Sequence, residues 1–263
     1  MTTTSSQSAP STGTGRLAGK VVLVTGGGTG LGRCIALAVA AAGGDVALIF
    51  HTSEDSAERT ATEVRAMGVR CDVRPCDVRD RADVRGAVAW AKERFGRIDG
   101  LVNNAGIMPE HPFLEITEEQ WDDVVRTDLT GAFFASQAVI PVMLENGGGS
   151  IVNIASRLGQ VGWPKVAHYA AAKAGSIALV KSISREFGQQ GIRANAVSPG
   201  VMNTDMGRTV MEGEVGRKRM AELPLGRFAE PEEVAESVVF LLADSGALFL
   251  GQTLGPNAGG LMP

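Results

Sequence analysis

The 263-residue chain is 44% hydrophobic and 21% charged, with a formal net charge of −4 and a pI near 5.5. Such a balance suits one globular domain with a sizeable core, and it argues against a general nucleic-acid binder, which needs a basic face. No apolar run approaches the roughly 20 residues of a membrane-crossing helix, and Cys34, Cys71 and Cys76 match neither a zinc spacing nor a CxxC redox pair, so reduced thiols in a cytoplasmic protein are expected.

Met1 to Gly15 is rich in Ser, Thr and Gly and has neither the basic nor the apolar segment of a secretory signal, so it reads as a disordered leader before a single domain over residues 16–263. Lys20 to Thr25 is a short apolar strand. Gly26-Gly-Gly-Thr-Gly-Leu-Gly32 follows, and an alanine-rich helix runs on to about Ala42. Strand, glycine loop and helix in that order aim backbone N–H groups and the positive end of a helix dipole at an anion such as a pyrophosphate. Gly26 permits the tight turn, Gly30 lets the backbone approach the phosphate, and Gly32 lets the helix pack on the sheet; Thr29 and Leu31 belong to the same loop.

The second strand, Asp45 to Phe50, ends where an acidic side chain would hold the ribose 2′-hydroxyl of NAD. Phe50 and His51 stand there instead. Nothing repels a 2′-phosphate, and His51, Thr52 and Ser53 can donate to one, so NADP is favoured over NAD. A helix over residues 53–67 and a strand over residues 69–75 lead to Asp77-Val78, where the aspartate either lines a ligand pocket or caps the next helix, residues 81–95. A strand over residues 98–102 runs into Asn103-Asn-Ala-Gly106. A helical region follows from Thr117 to about Glu145.

Ser150 to Ala155 reads as a buried parallel strand that delivers Ser156 to its carboxyl edge. Thirteen residues on stands Tyr169, the one tyrosine of the chain, with Lys173 four further along in a helical run from Val166 to Leu179. That spacing puts phenol and amine on one helix face, where the ammonium is expected to lower the phenol pKa. A hydroxyl beside a tuned phenol suits carbonyl/alcohol interconversion, one group orienting the oxygen and the other passing the proton. A strand over residues 192–198 enters the turn Pro199-Gly200. The Met- and Gly-rich segment of about residues 203–225 breaks the strand–helix rhythm and reads as a substrate lid. Met108, Phe113, Trp163, Met202 and Met206 are candidates for an apolar pocket beneath it, and the basic cluster Arg217-Lys218-Arg219 reads as a solvated helix face. A helix over residues 231–244 and a strand over residues 247–254 close the chain.

Alternating strands and helices imply right-handed crossovers, and hence an α/β fold: a doubly wound parallel sheet of seven strands with helices on both faces. With Thr-Gly-x-x-x-Gly-x-Gly at the first turn and Ser156, Tyr169 and Lys173 at their spacing, the chain from about Leu17 to Met262 resembles the short-chain dehydrogenase/reductase family. The resemblance implies a Rossmann-like domain of strand order 3-2-1-4-5-6-7 that binds a nicotinamide dinucleotide, with Ser156, Tyr169 and Lys173 catalytic and Lys173 also on the ribose. It further implies Asp77 and Val78 at the adenine, Asn104 and Gly106 near the adenosine ribose, and Pro199, Gly200, Met202 and Thr204 near the nicotinamide and phosphates. Asp128 stands where most relatives carry asparagine; it is expected to serve the proton relay and to hold Lys173 charged more firmly than an amide would. No metal is implied. A small carbonyl or alcohol substrate and a homotetramer are expected, without nucleic-acid or membrane partners. A 3-oxoacyl-thioester reductase of the fatty-acid type, a nucleotide-sugar epimerase or dehydratase, and a non-catalytic dinucleotide-binding protein are the alternatives.

Overall fold

Strands buried on both faces of a parallel sheet read as nearly unbroken apolar runs, and the five inner strands of this chain do so. In the computed structural model, which describes residues 15–262, the strands are β1 (Val21–Thr25), β2 (Asp45–Phe50), β3 (Cys71–Pro75), β4 (Gly100–Asn103), β5 (Gly149–Ile154), β6 (Ile192–Val197) and β7 (Thr253–Leu254). They form one parallel sheet in the expected order, β3-β2-β1-β4-β5-β6-β7. Apart from Gly15, the expected leader lies outside the described residues.

The helices are α1 (Gly30–Ala41), α2 (Glu54–Ala66), α3 (Arg81–Phe95), α4 (Glu118–Val125), α5 (Gly131–Glu145), α6 (Leu158–Val161), α7 (Ala167–Phe187), α8 (Asp205–Met211), α9 (Gly213–Ala221) and α10 (Pro231–Leu242). One face of the sheet is covered through Ile35, Val39, Val64 and Val238, packed on Val22, Val24 and Leu48. The other is covered through Val88, Val139, Met143 and Val180, packed on Leu23, Leu101 and Ile151. Each such side chain taken wholly out of water contributes about 1.5–3 kcal/mol. Capping sets several boundaries: Asp80 accepts from the amides of Ala82 and Asp83 at the start of α3, and Thr117 and Gln120 form a reciprocal box at the start of α4.

Four elements depart from expectation. The last strand shrinks to Thr253–Leu254, because a 3₁₀ turn at Asp244–Gly246 and a left-handed Gly251 (φ +67°) bend residues 244–251 away from the sheet. The helical stretch of residues 117–145 carries a π-helical turn at Arg126–Thr130, closed by the Gly131 amide donating to the Arg126 carbonyl. The helix bearing Tyr169 runs beyond its alanine-rich core to Phe187. The segment expected to form a lid is largely helical, built from α8 and α9, and Met202 bridges Ala229 at its base.

The continuous helical stretch Glu118–Glu145 has 28 residues and a mean hydropathy of 1.2 in its most apolar window, so by length and composition it could cross a bilayer. Here it flanks the sheet, burying Ala135, Val139 and Met143 in the core.

Candidate active site

The strand order reverses between β1 and β4, and ligands of open α/β sheets bind at such a switch point, beyond the carboxyl ends of the strands. A cleft of about 570 Å³ opens there. It is lined by every site residue singled out in the sequence: Gly26, Thr29, Gly30, Leu31, Gly32, His51, Asp77, Val78, Asn104, Gly106, Asp128, Ser156, Tyr169, Lys173, Pro199, Gly200, Met202 and Thr204. Of the apolar candidates, Met108, Trp163, Met202 and Met206 line it too. Phe113 does not; it lies in a short 3₁₀ turn after β4 and is 71% exposed.

At one end of the cleft the glycine loop meets α1. Its N-cap residue, Thr29, makes no side-chain cap, so the first-turn amides of α1 have no side-chain acceptor. Gly30 takes a left-handed φ of +51° with open space where a Cβ would stand, and a Cβ on Gly32 would lie 2.1 Å from the Gly26 carbonyl oxygen. Asn104 braces the loop, donating through Nδ2 to the carbonyls of Thr25 and Gly26 at 3.0 and 3.1 Å. This cradle fits a dinucleotide pyrophosphate: backbone can approach, amides are available and the helix dipole favours the anion.

Further along the sheet edge, His51 Nε2 lies 3.6 Å from Asp77 Oδ2. Arg79 grips Asp77 through Nη2 at 2.9 Å and Asp123 through Nη1 at 2.7 Å, and its hydrogen bonds hold the Asp77 carboxyl below the usual carboxylate range. Asp77 therefore borders the cleft, whereas the cap of α3 is Asp80.

At the other end stand the groups suited to proton transfer. The buried Ser156 Oγ accepts from the Leu158 amide at 3.1 Å, which leaves its own O–H free to donate. Tyr169 and Lys173 lie one turn apart on α7, with Lys173 Nζ 5.4 Å from the centre of the phenol ring. Lys173 donates to the Ile154 carbonyl at 2.9 Å and faces Asp128 Oδ2 at 3.1 Å; the two side chains are 5% and 0% exposed. The π turn carries Asp128 to this point, where its Oδ1 accepts from the Ile107 amide at 2.8 Å. Gly106 makes room: a Cβ there would lie 2.6 Å from Asp128 Oδ2 and 3.2 Å from Lys173 Nζ.

The electrostatics correct one expectation. Burial is the largest influence on all three groups. It pulls the Lys173 ammonium down, but the Asp128 and Tyr169 charges outweigh it and Lys173 titrates above the ordinary lysine value. Burial pushes Asp128 up further than Lys173 and the Ile107 amide pull it down. The hydrogen bonds to Ile154 and from Ile107 both favour the charged forms, so the proton the pair shares rests on the amine. Tyr169 was expected to fall below the ordinary phenol value; burial instead raises it, aided by the Asp128 charge, against the lowering influence of Lys173 and Ser156. The Asp128 carboxylate opposes the acidifying field of Lys173, and burial is the larger reason that the phenol titrates high.

Several cleft residues escaped sequence reasoning. Arg79 was hidden in the first turn after β3, and Arg219 within a basic cluster read as solvated. His168 is fully buried; its Nδ1 accepts from the Tyr169 amide at 2.9 Å and its Nε2 has no partner among the described residues. Nothing in a lone His-Tyr pair of letters signals that burial.

Comparison with known proteins finds relatives along nearly the whole chain. A family model described as enoyl-(acyl carrier protein) reductase matches residues 26–260. The 3-oxoacyl-[acyl-carrier-protein] reductase of Staphylococcus aureus is 38% identical over 91% of this chain and 97% of its own length. A 7α-hydroxysteroid dehydrogenase complexed with NADH and 7-oxo glycochenodeoxycholic acid superposes with a TM-score of 0.90 at 29% identity, over 94% of this chain and 96% of that one. A blue fluorescent protein from a metagenomic library, in complex with NADPH, gives a TM-score of 0.88 at 34% identity over 94% of this chain and 100% of its own.

Proposed function

The chain belongs to the short-chain dehydrogenase/reductase family, and from that premise we propose that it interconverts a ketone and a secondary alcohol with NADP(H) in preference to NAD(H). The observation that carries the reading is the meeting, in one cleft, of the glycine cradle with Ser156, Tyr169 and an amine fixed between Ile154 and Asp128.

When bound, the nicotinamide ring supplies or takes the hydride. Ser156 donates to the substrate oxygen. Tyr169 gives that oxygen a proton in reduction and takes it back in oxidation. Lys173 stabilises the phenolate left behind and would hold the ribose, and Asp128 keeps the amine charged. The amides of the glycine loop would hold the pyrophosphate, Asp77 and Val78 would line the adenine pocket, and Asn104 and Gly106 would lie near the adenosine ribose. Pro199, Gly200 and Met202 would line the nicotinamide, and Thr204 would lie near the phosphates. The preference for NADP(H) rests on His51, Thr52 and Ser53 in place of a carboxylate after β2, with Arg79 on the same wall.

The Staphylococcus aureus relative favours a second, narrower reading, the reduction of a 3-oxoacyl thioester. Purified protein assayed with NADPH and NADH against cyclic ketones, linear ketones and acetoacetyl thioesters separates the two; loss of all turnover in Tyr169→Phe ties either to the site. A trans-2-enoyl thioester is a further arm of the assay, because hydride addition at its β carbon also develops charge on an oxygen that Ser156 and Tyr169 could hold, and reduction of that thioester alone would refute the carbonyl reading. The expected homotetramer rests on the family resemblance alone and is checked by light scattering. The cytoplasmic assignment rests on three unpaired, buried cysteines whose thiols burial pushes up to about 11 for Cys34 and about 12 for Cys71 and Cys76.

A further inference from the structure

Among the described residues, two guanidinium groups of the cleft make no ion pair with a carboxylate. Arg157 directly follows Ser156, and Arg219 comes from α9 of the expected lid; both are half-buried and line the cleft. Trp163 lies with them, the centre of its ring 5.9 Å from Arg157 Cζ and 5.1 Å from Arg219 Cζ. The other cations of the cleft are each engaged by carboxylates, Arg79 by Asp77 and Asp123 and Lys173 by Asp128, while Asp205 pairs with Arg208. Lys218, beside Arg219, pairs with Glu214 and points to solvent. Glu110, on the exposed loop after β4, and Glu222, at the exposed end of α9, ion-pair with neither arginine among the described residues.

Arg157 has a single acceptor, the Gly260 carbonyl at 3.3 Å. Burial first and then the nearby Arg219 charge pull its pKa below the usual guanidinium range, against a smaller upward pull from Glu222, which makes no ion pair with it. A guanidinium packed against an aromatic ring uses its flat face there and keeps its in-plane N–H fork free, the geometry that grips a carboxylate or phosphate with two parallel hydrogen bonds.

We propose that Arg157 and Arg219, packed on Trp163, bind an anionic group carried by the substrate away from its carbonyl, so that this enzyme prefers an anionic ketone or alcohol to a neutral one. This rests on the carbonyl-reductase reading above for the position of the reacting carbon. The anion is either a carboxylate on a free keto acid or a phosphate on a thioester carrier.

The test compares acetoacetate, levulinate and 6-oxoheptanoate with their methyl esters, and acetoacetyl-coenzyme A with its uncharged N-acetylcysteamine analogue. Wild type, Arg219→Ala, Arg219→Lys and Trp163→Ala are assayed. Wild type is expected to favour one charged member of a pair by tenfold or more in kcat/KM, through KM. Arg219→Ala should erase most of that preference, and Arg219→Lys, which keeps the charge, should restore part of it. If the preference appears among the keto acids the anion is a carboxylate; if only between the thioesters, it is the carrier phosphate. Calorimetric titration of hexanoate and of coenzyme A into wild type and Arg219→Ala, with saturating NADP+, reads the anion site without turnover. Binding lost in Arg219→Ala with no ketone reduced would uphold the anion site and refute the reductase reading. Ketone turnover with equal preference for acids, esters and both thioesters, and no binding of either anion, would overturn the proposal.

Discussion

Removing Lys173 while Asp128 remains would strand a carboxylate whose side chain is wholly buried, with the Ile107 amide as its remaining hydrogen-bond donor. Breaking a buried pair from one side costs about 3–5 kcal/mol, because the partner keeps its desolvation penalty and loses its compensation. At about 2 °C per kcal/mol for a chain of this size, Lys173→Met should lower Tm by roughly 6–10 °C. Adding Asp128→Asn removes the stranded charge but keeps an acceptor for the Ile107 amide. The double variant should therefore recover most of the loss, retaining about 1 kcal/mol for the Ile154 carbonyl that has lost its donor. The Lys173→Met defect should also shrink as pH falls, since a carboxyl raised above its unfolded value favours the folded state when protonated and disfavours it as pH rises. Urea unfolding of all four members of the cycle at two pH values gives the coupling. A double variant no more stable than Lys173→Met alone would refute the claim that an ion pair, and not packing around α7, holds this corner together.

Tyr169→Phe should cut turnover by about 10²–10⁴-fold or more while leaving dinucleotide affinity, followed by fluorescence titration, within a few-fold of wild type. Because Tyr169 is the only tyrosine, ultraviolet titration of tyrosinate reports it alone; in Asp128→Asn the midpoint should move to lower pH, since the carboxylate that opposes the Lys173 field is gone. Ketone reduction needs the neutral phenol, so its alkaline decline should move the same way, and an unchanged pH–rate profile would show that Asp128 does not act on the relay. Gly106→Ala should destabilise the protein by about 1–3 kcal/mol and impair turnover, because its Cβ would enter the space between Asp128 and Lys173; a fully active, equally stable Gly106→Ala would contradict the geometry.

Local chemistry made much of this legible in the letters. Buried strands announce themselves as apolar runs, so the inner strands and the glycine loop could be read directly, the strand order came with the family resemblance, and the same strand ends carried Ser156 and Asn104 into the cleft. What stayed hidden depends on sums over distance. The direction of the Tyr169 shift is set by burial competing with two opposed charges, one of them 41 residues away in sequence at Asp128. Arg219 looks like its neighbours Arg217 and Lys218 as letters, and only the roll of α9 turns it inward. Phe113 was assigned to the pocket on hydrophobicity alone, which does not say that the loop after β4 carries it outward.

The π turn at Arg126–Thr130 also sets the phase of a long rod. Each residue of an α-helix advances the azimuth by about 100°, so excising one amino acid from this bulge would regularise the hydrogen bonding and counter-rotate everything upstream by about that angle relative to α5. The shortened rod would gain regularity, yet the carboxylate would swing off its amine and Val124 would leave the core contact it makes beside Tyr169. The irregular turn is thus an aiming device, and a more ideal helix here would be a less competent enzyme.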